Sequence, residues 1–403
     1  MMELRSIIFA FFIVFLPQLS LAAINHGVLV LAPIITASSG LPPEAVGIIG
    51  GLSGLGAVWC FAANSTILPC LGPIKTLAFG CLLASFALMC FALELGWIGF
   101  VAALLVGFGY AVSAPAGSMI LASNTPKKLW GTLFSLRMAG VPAGGAFAGI
   151  VAAAIVGTYD WRLSLLLLLL PCISGLVFLR LARNKIQLPA NVGSFSFLSV
   201  FNPRLFLTPF LVLARVPSLT TITFVSIGFA AVQGSLFTFF TTYLTDSLGF
   251  SLAVAGMLYA TLQFSSFAGR IMMGVVADLI GSPRVLIMIL GFFSPLGLFV
   301  LTTLEVNNPH WLLLLKCAFV GSMIASWNGL FLAEVTRVSA STDVGESTAA
   351  STFFTFISYM LAPPVFGIVS YNLGYQSAFI LVGGLAALSA AAMLGSIVKT
   401  NWK

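Results

Sequence analysis

The chain has 403 residues, of which 60% are hydrophobic and only 7% charged, with a formal net charge of +7. Water-soluble domains carry about 25% charged residues, so these proportions exclude a soluble globule. The positive charges are scattered along the chain and form no patch, which argues against nucleic acid as a partner.

Long apolar runs recur over the whole length, each able to cross a hydrocarbon core of about 30 Å at ~1.5 Å per residue. In chain order they lie near residues 6–35, 44–66, 76–94, 97–122, 130–156, 162–182, 219–245, 252–273, 285–304, 311–335, 346–371 and 377–397. The runs are continuously apolar, whereas strands of a transmembrane barrel alternate. The expected fold class is therefore all-α, a polytopic membrane protein with twelve transmembrane helices. The first run follows Arg5 and has the look of a signal peptide, but hydrophobicity resumes at once through Ile35. An uncleaved helix bent at Pro17 is the simpler expectation.

No clear span lies between Arg183 and Ser218, and this stretch divides the helices six and six. The expected organisation is an N-terminal six-helix bundle over residues 1–182, a cytoplasmic linker over 183–218 and a C-terminal six-helix bundle over 219–403. Within the linker, Arg204 and Arg215 alternate with Phe and Leu, the pattern of an amphipathic segment lying on the inner leaflet. With the N-terminus inside, Arg5, Lys75, Lys127, Lys128, Arg180, Arg183, Lys185, Arg204, Arg215, Arg270, Arg284, Arg337, Lys399 and Lys403 fall on the cytoplasmic side, and only Arg162 falls outside. Basic loops stay cytoplasmic during insertion, so both termini are expected there, in a bacterial inner membrane. The cysteines show neither metal-ligand spacing nor a disulfide framework, and no cofactor or metal is expected.

The two halves repeat at a shift of about 210 residues: LGPIKTL around Gly72 matches LIGSPRVL around Gly281, and Gly149-Ile150 matches Gly367-Ile368. An even number of helices per repeat gives both halves the same orientation in the membrane. After the eighth run, Gly274, Asp278, Gly281 and Arg284 stand in the order G-x-x-x-D-x-x-G-x-x-R, with Arg270 just before them. This resembles the signature loop of the major facilitator superfamily. The resemblance, together with twelve spans and the repeat, covers essentially the whole chain. It implies two six-helix bundles, with Arg270, Gly274, Asp278, Gly281 and Arg284 as a gating motif in an inner loop.

Three departures qualify the resemblance. In the first half, Ser65 and Pro69 stand where the family has Gly and Asp. In the fourth span, Ala103 replaces the family's arginine, which removes the usual proton-linked group of that helix. The run GVPAGGAFAG from Gly140 to Gly149 is only loosely similar to the drug-antiporter motif, and close packing through small residues accounts for it better.

All ten acids can be placed at loops or span ends, while His26, Arg137 and Lys316 fall inside spans. A base at a helix centre costs about 2.5 kcal/mol or more when it faces lipid, so such residues turn toward a partner or a cavity. With no acid at that depth, the missing counter-charge is read as the substrate, an anion drawn in by Arg137 and Lys316. Snorkelling to the nearest surface is the plainer alternative for both. Asn25, Tyr110, Ser113, Gln233, Gln263 and Asn328 are polar positions on spans that the resemblance implies line a cavity, with Trp327 as an aromatic wall. The expected substrate-binding set is thus Asn25, His26, Arg137, Gln233, Gln263, Lys316, Trp327 and Asn328.

The sequence has no Walker loop, and no Ser/His/Asp set, paired acids or His cluster at one depth, so neither ATP drive nor an enzyme is expected. The expected function is secondary active transport of a small anionic solute by alternating access, by a monomer. Coupling to a proton, directly or through His26, and anion exchange both stay open. A proton-driven exporter of amphipathic compounds and a transporter-like membrane sensor are the alternatives.

Overall fold

The computed structural model describes residues 2–42, 44–93, 97–125, 133, 136–185, 202–280, 283–338 and 344–401, and the architecture below is that of these residues. They are helical almost throughout, with one isolated bridge between Val156 and Tyr159.

The first half comprises α1 (Met2–Val30), α2 (Ala32–Ser38), α3 (Ala45–Leu71), α4 (Pro73–Ala92), α5 (Ile98–Ala111), α6 (Ser113–Asn124), α7 (Gly140–Ile155) and α8 (Arg162–Ala182). After the linker helix α9 (Thr208–Arg215) come α10 (Pro217–Thr242), α11 (Leu252–Ile280), α12 (Pro283–Thr302), α13 (His310–Ile324), α14 (Trp327–Val338) and α15 (Val344–Asn401). Eleven stretches are long and apolar enough to cross a membrane, and the last covers 45 residues, Ala350–Leu394. It is two spans, because Gly374 at φ 83° bends α15 into two arms. Twelve transmembrane helices result, in two bundles of six.

Several spans are broken, and each break has a chemical cause. Span one bends at Leu31, just before Pro33, while α1 runs straight through Pro17. Span four changes from α5 to α6 at Val112, three residues before Pro115, whose ring nitrogen has no hydrogen to return to the preceding turn. Span ten stops at Ala325 and restarts at Trp327.

Turns on the face holding Gly72 are tighter than expected. Helix α3 continues to Leu71, Gly72 takes φ 74°, and Pro73 opens α4. Only glycine adopts that backbone freely, and proline suits a first helical position. In the second half, α11 runs to Ile280 and α12 begins at Pro283. Gly274 and Asp278 therefore lie on a helix, where the motif had been placed in a loop, because MMGVVADLI continues the helical run without a breaker. Gly281, and the side chains of Asp278, Ser65 and Pro69, lie outside the described residues.

The bundles meet along two symmetric seams, span two against span eleven and span five against span eight. A Cβ on Gly51 would stand 2.6 Å from Pro364, and one on Gly54 2.5 Å from the Met360 backbone. On the other seam a Cβ on Gly149 would lie 2.5 Å from the Gly256 carbonyl, and one on Gly256 2.9 Å from that of Gly149. Where lipid offers no hydrophobic drive for helix association, such backbone contact is how helices gain packing energy. The Gly140–Gly149 run is thus occupied in packing: Gly144 meets the Leu19 carbonyl on α1 and Gly145 meets Gln263 on α11.

Candidate functional site

Three polar clusters sit where the bundles face each other. In the first, His26 on α1 is 4% exposed and meets Tyr259 on α11, with His26 Nδ1 and Tyr259 Oη 2.6 Å apart. The Gln263 amide donates to Tyr259 Oη at 3.0 Å and lies 3.4 Å from the same ring nitrogen. Since that amide nitrogen only donates, Nδ1 is the acceptor and Tyr259 gives it its hydroxyl proton. The edge of Phe237 on α10 closes the cluster, with ring centroids 5.2 Å apart. One turn on, Thr241 Oγ1 donates to the Leu29 carbonyl at 3.2 Å. These contacts join the bundles in the half of the membrane away from Gly72.

The second cluster belongs to the C-terminal bundle. Gln233 Oε1 on α10 accepts from Trp327 Nε1 at 2.8 Å and from Asn328 Nδ2 at 3.2 Å, both at the start of α14. Trp327 is 1% exposed and stacks on Phe229, so it is core and forms no cavity wall, whereas Asn328 remains partly open. Asn25, also partly open, accepts from Ser53 on α3 at 2.7 Å.

The third cluster holds two arginines. Arg137, 2% exposed, turns one guanidinium nitrogen to the carbonyls of Ser113 at 3.1 Å and Ala114 at 3.0 Å, and to Gln18 Oε1 at 3.4 Å. Those carbonyls belong to the break in span four. Arg270 does the same to span ten: its Nε donates to the Ala325 carbonyl at 3.0 Å, while Nη1 crosses to the other bundle and donates to the Met138 carbonyl at 2.9 Å. Met138 is the residue next to Arg137. The fields of both arginines reach Tyr110 on α5, and that of Arg270 also reaches His26 and Tyr359 on α15. Arg270, Tyr110, Tyr359, Asn25 and Asn328 are partly open, which makes them the accessible polar groups of the interior.

Arg270 therefore lies ten residues, about 15 Å, before the end of α11, well inside the helix and away from the loop in which the sequence placed it. At the start of α12, the Nε of Arg284 donates to Glu334, a fully buried carboxylate on α14. That partner was not foreseen. Lys316, expected beside Arg137, stands apart from all three clusters. Its Nζ bends back to the loop after α12 and donates to the Thr303 carbonyl at 2.6 Å and Asn308 Oδ1 at 2.9 Å. Two turns of helix α13 separate it from the chain end of that helix, so its four-carbon stem reaches polar partners there more cheaply than in the interior. Tyr259, Tyr359 and Gln18 were not singled out, since a tyrosine or glutamine in an apolar run gives no sign of which face it occupies.

A sequence model of the Major Facilitator Superfamily matches residues 7–349. No curated protein matches the sequence. Among solved structures, the chain is similar to a POT family transporter in complex with a thioalcohol-conjugated peptide, at 13% identity and TM-score 0.77, covering 98% of this chain and 96% of that one. It is similar to a D-xylose-proton symporter at 15% identity and TM-score 0.71, covering 96% of each chain. A nucleoside transporter matches at 14% identity and TM-score 0.73, over 96% of this chain and 99% of that one. At such identities the likeness is one of fold, and three solutes as different as these leave the cargo to be read from the interior side chains.

Proposed function

The chain belongs to the Major Facilitator Superfamily, and from that premise we propose that it is a secondary transporter carrying a small anion by alternating access. One observation carries the reading: Arg270 of the second bundle reaches the Met138 carbonyl, beside Arg137 of the first. The described partners of the Arg270 guanidinium are carbonyls of both bundles, dipoles that answer its hydrogen bonds without cancelling its charge. Among the described residues no carboxylate pairs with Arg270, and the buried acid Glu334 is taken by Arg284. An anion between the bundles supplies the missing charge, and a planar carboxylate or a tetrahedral oxyanion fits the fork of a guanidinium.

In this reading Arg270 and Arg137 hold the anion, and Asn25, Asn328, Tyr110 and Tyr359 offer it neutral hydrogen bonds. Gln233 orients Asn328, while His26, Tyr259 and Gln263 close the side away from Gly72. Lys316 and Trp327 are left out. The basic loops make the Gly72 face cytoplasmic, as expected for a bacterial inner membrane, so the site is shut toward the outside. Opening there requires the His26 and Thr241 contacts to part while the Gly72 face closes. Without a Walker loop, the work comes from a solute or ion gradient. An exporter of amphipathic compounds draws no support from the Gly140–Gly149 run, which packing explains.

The test is ligand protection followed by transport. Purified protein is heated with carboxylates, phosphate, nitrate and neutral sugars, and any protecting solute is then followed by counterflow in proteoliposomes. Protection and counterflow by an anion, lost in Arg270→Ala, are expected. Protection by neutral or cationic solutes alone overturns the reading.

A further inference from the structure

The linker carries two apolar faces, and the protein occupies only one of them. The short 3-10 turn Pro203–Phe206 just before α9 brings Leu205 and Phe206 against a cluster made by Val58 and Ala62 of span two and Phe353 of span eleven. Within α9, Pro209 and Val212 are buried, and the Phe210 ring meets Phe354 edge-on, with centroids 4.8 Å apart. The linker is thus seated on a seam where the bundles meet. Its other face is bare: Leu207, Phe210 and Leu211, at a spacing that shares one side of a helix, are each more than half exposed, and exposed Ala214 continues the stripe.

The charges around the stripe select what covers it. From Trp161 to Thr245 the sequence holds no Asp or Glu, while Arg180, Arg183, Lys185, Arg204 and Arg215 all fall in that stretch. Arg204 stands three residues before Leu207 and Arg215 four after Leu211, so each lies one turn beyond an end of the stripe. Both are exposed, and among the described residues no carboxylate pairs with either. Val216, held at φ −122° and ψ 83° before Pro217, turns the chain from α9 into α10, the seventh span. Helix α9 is therefore joined to the end of a span, on the Gly72 face, where hydrocarbon gives way to head groups.

An apolar stripe with a base at each end and no acid beside it matches a surface that is apolar within and negative at its heads. We infer that α9 is a seat for anionic phospholipid of the leaflet on the Gly72 face. Leu207, Phe210 and Leu211 enter the acyl boundary, and Arg204 and Arg215 reach back along it to the lipid phosphates. The attraction of one base to an anionic leaflet is worth about five-fold in binding, so the two together supply about 25-fold. Leu205 and Phe206 rest on spans two and eleven, so lipid held at α9 bears on the seam between the bundles. The seat itself does not depend on what the protein carries.

The test measures how far water reaches the stripe. Full-length protein with a nitroxide at Leu211→Cys, in a Cys70→Ser background because the other five cysteines are buried, is placed in vesicles of phosphatidylcholine alone or with about 30% phosphatidylglycerol. Collisions of the label with a neutral, water-soluble nickel chelate are expected to fall at least about three-fold when phosphatidylglycerol is present. The paired variant Arg204→Gln/Arg215→Gln should lose that fall, and Arg204→Lys/Arg215→Lys, which keeps the charge, should retain it. Equal collision rates in the two lipids overturn the inference: high rates mean a face open to water or to a soluble protein, and low rates mean apolar seating without recognition of the head group. A fall that survives in the Gln pair overturns the role of the arginines. Inorganic phosphate producing the same fall in phosphatidylcholine would make the ligand a free oxyanion and overturn the lipid seat.

Discussion

Arg270 and Lys316 are both bases on helices of the second half, yet they end in opposite places. Arg270 crosses the seam between bundles to the Met138 carbonyl, while Lys316 retreats to the loop carbonyl of Thr303 and to Asn308. Depth along the helix does not explain the difference. In the sequence Arg137 lies about as close to the start of its apolar run as Lys316 does, and it still turns inward, to 2% exposure. What decides is the face: Arg137 and Arg270 look toward carbonyls beside the breaks of neighbouring helices, whereas the carbonyl within reach of Lys316 is in the loop.

The largest effect is expected from Arg270→Ala. Truncating one member of a buried charged cluster costs roughly 2–5 kcal/mol, so anion affinity or transport should fall by about 100-fold or more. Arg270→Lys should recover little, since an ammonium cannot reach Ala325 and Met138 at once. Uptake at saturating and sub-saturating anion would show this, and near-normal uptake by Arg270→Ala would break the contrast with Lys316.

Next comes Arg137→Ala, which takes the donor away from the carbonyls of Ser113 and Ala114. A hydrogen bond to a charged group is worth about 1.5–3 kcal/mol, so the thermal midpoint in detergent should drop along with transport. A variant that loses transport at unchanged stability would make Arg137 an anion ligand with no structural share.

The sequence made the architecture legible because hydrophobic length is a direct readout of membrane thickness, and the glycine-proline turns at Gly72 and before Pro283 are punctuated by residues with few alternatives. The site was legible only in part. His26, Gln263, Gln233 and Asn328 stood out as polar residues in apolar surroundings, but their pairing across 233 positions, as in His26 with Tyr259, is a product of tertiary packing that no local pattern encodes. Arg270 was misplaced for a related reason: it precedes a loop motif, and the extra turns of α11 that carry it inward follow from continued helical propensity beyond the predicted span end. Glu334 was placed among the acids of loops and span ends with no partner named, because nothing local announces Arg284, fifty positions earlier.

A smaller effect is expected at the seam itself. Gly149→Ala sets a methyl group about where the Gly256 carbonyl now lies, 2.5 Å away, and backbone cannot yield as a side chain would. The cost should fall at the low end of the roughly 1–3 kcal/mol seen for overpacking, expressed as slower turnover with anion affinity retained. Gly157→Ala, at a loop glycine with nothing within 4 Å but φ +97°, is the control, acting on stability alone.

The smallest effect belongs to Lys316→Ala. Its partners are a loop carbonyl and an amide at the membrane edge, partly exposed, where charge-assisted contacts are worth about 1 kcal/mol or less. Anion affinity in counterflow should change less than about two-fold, because a cation held there adds little to the potential at Arg270 once water screens it. A ten-fold rise in KM for Lys316→Ala, with the fold intact, would mean that the side chain leaves Thr303 and swings inward during the cycle. The two bases would then differ only in this conformation, and the face a residue occupies would be a property of the state and not of the fold.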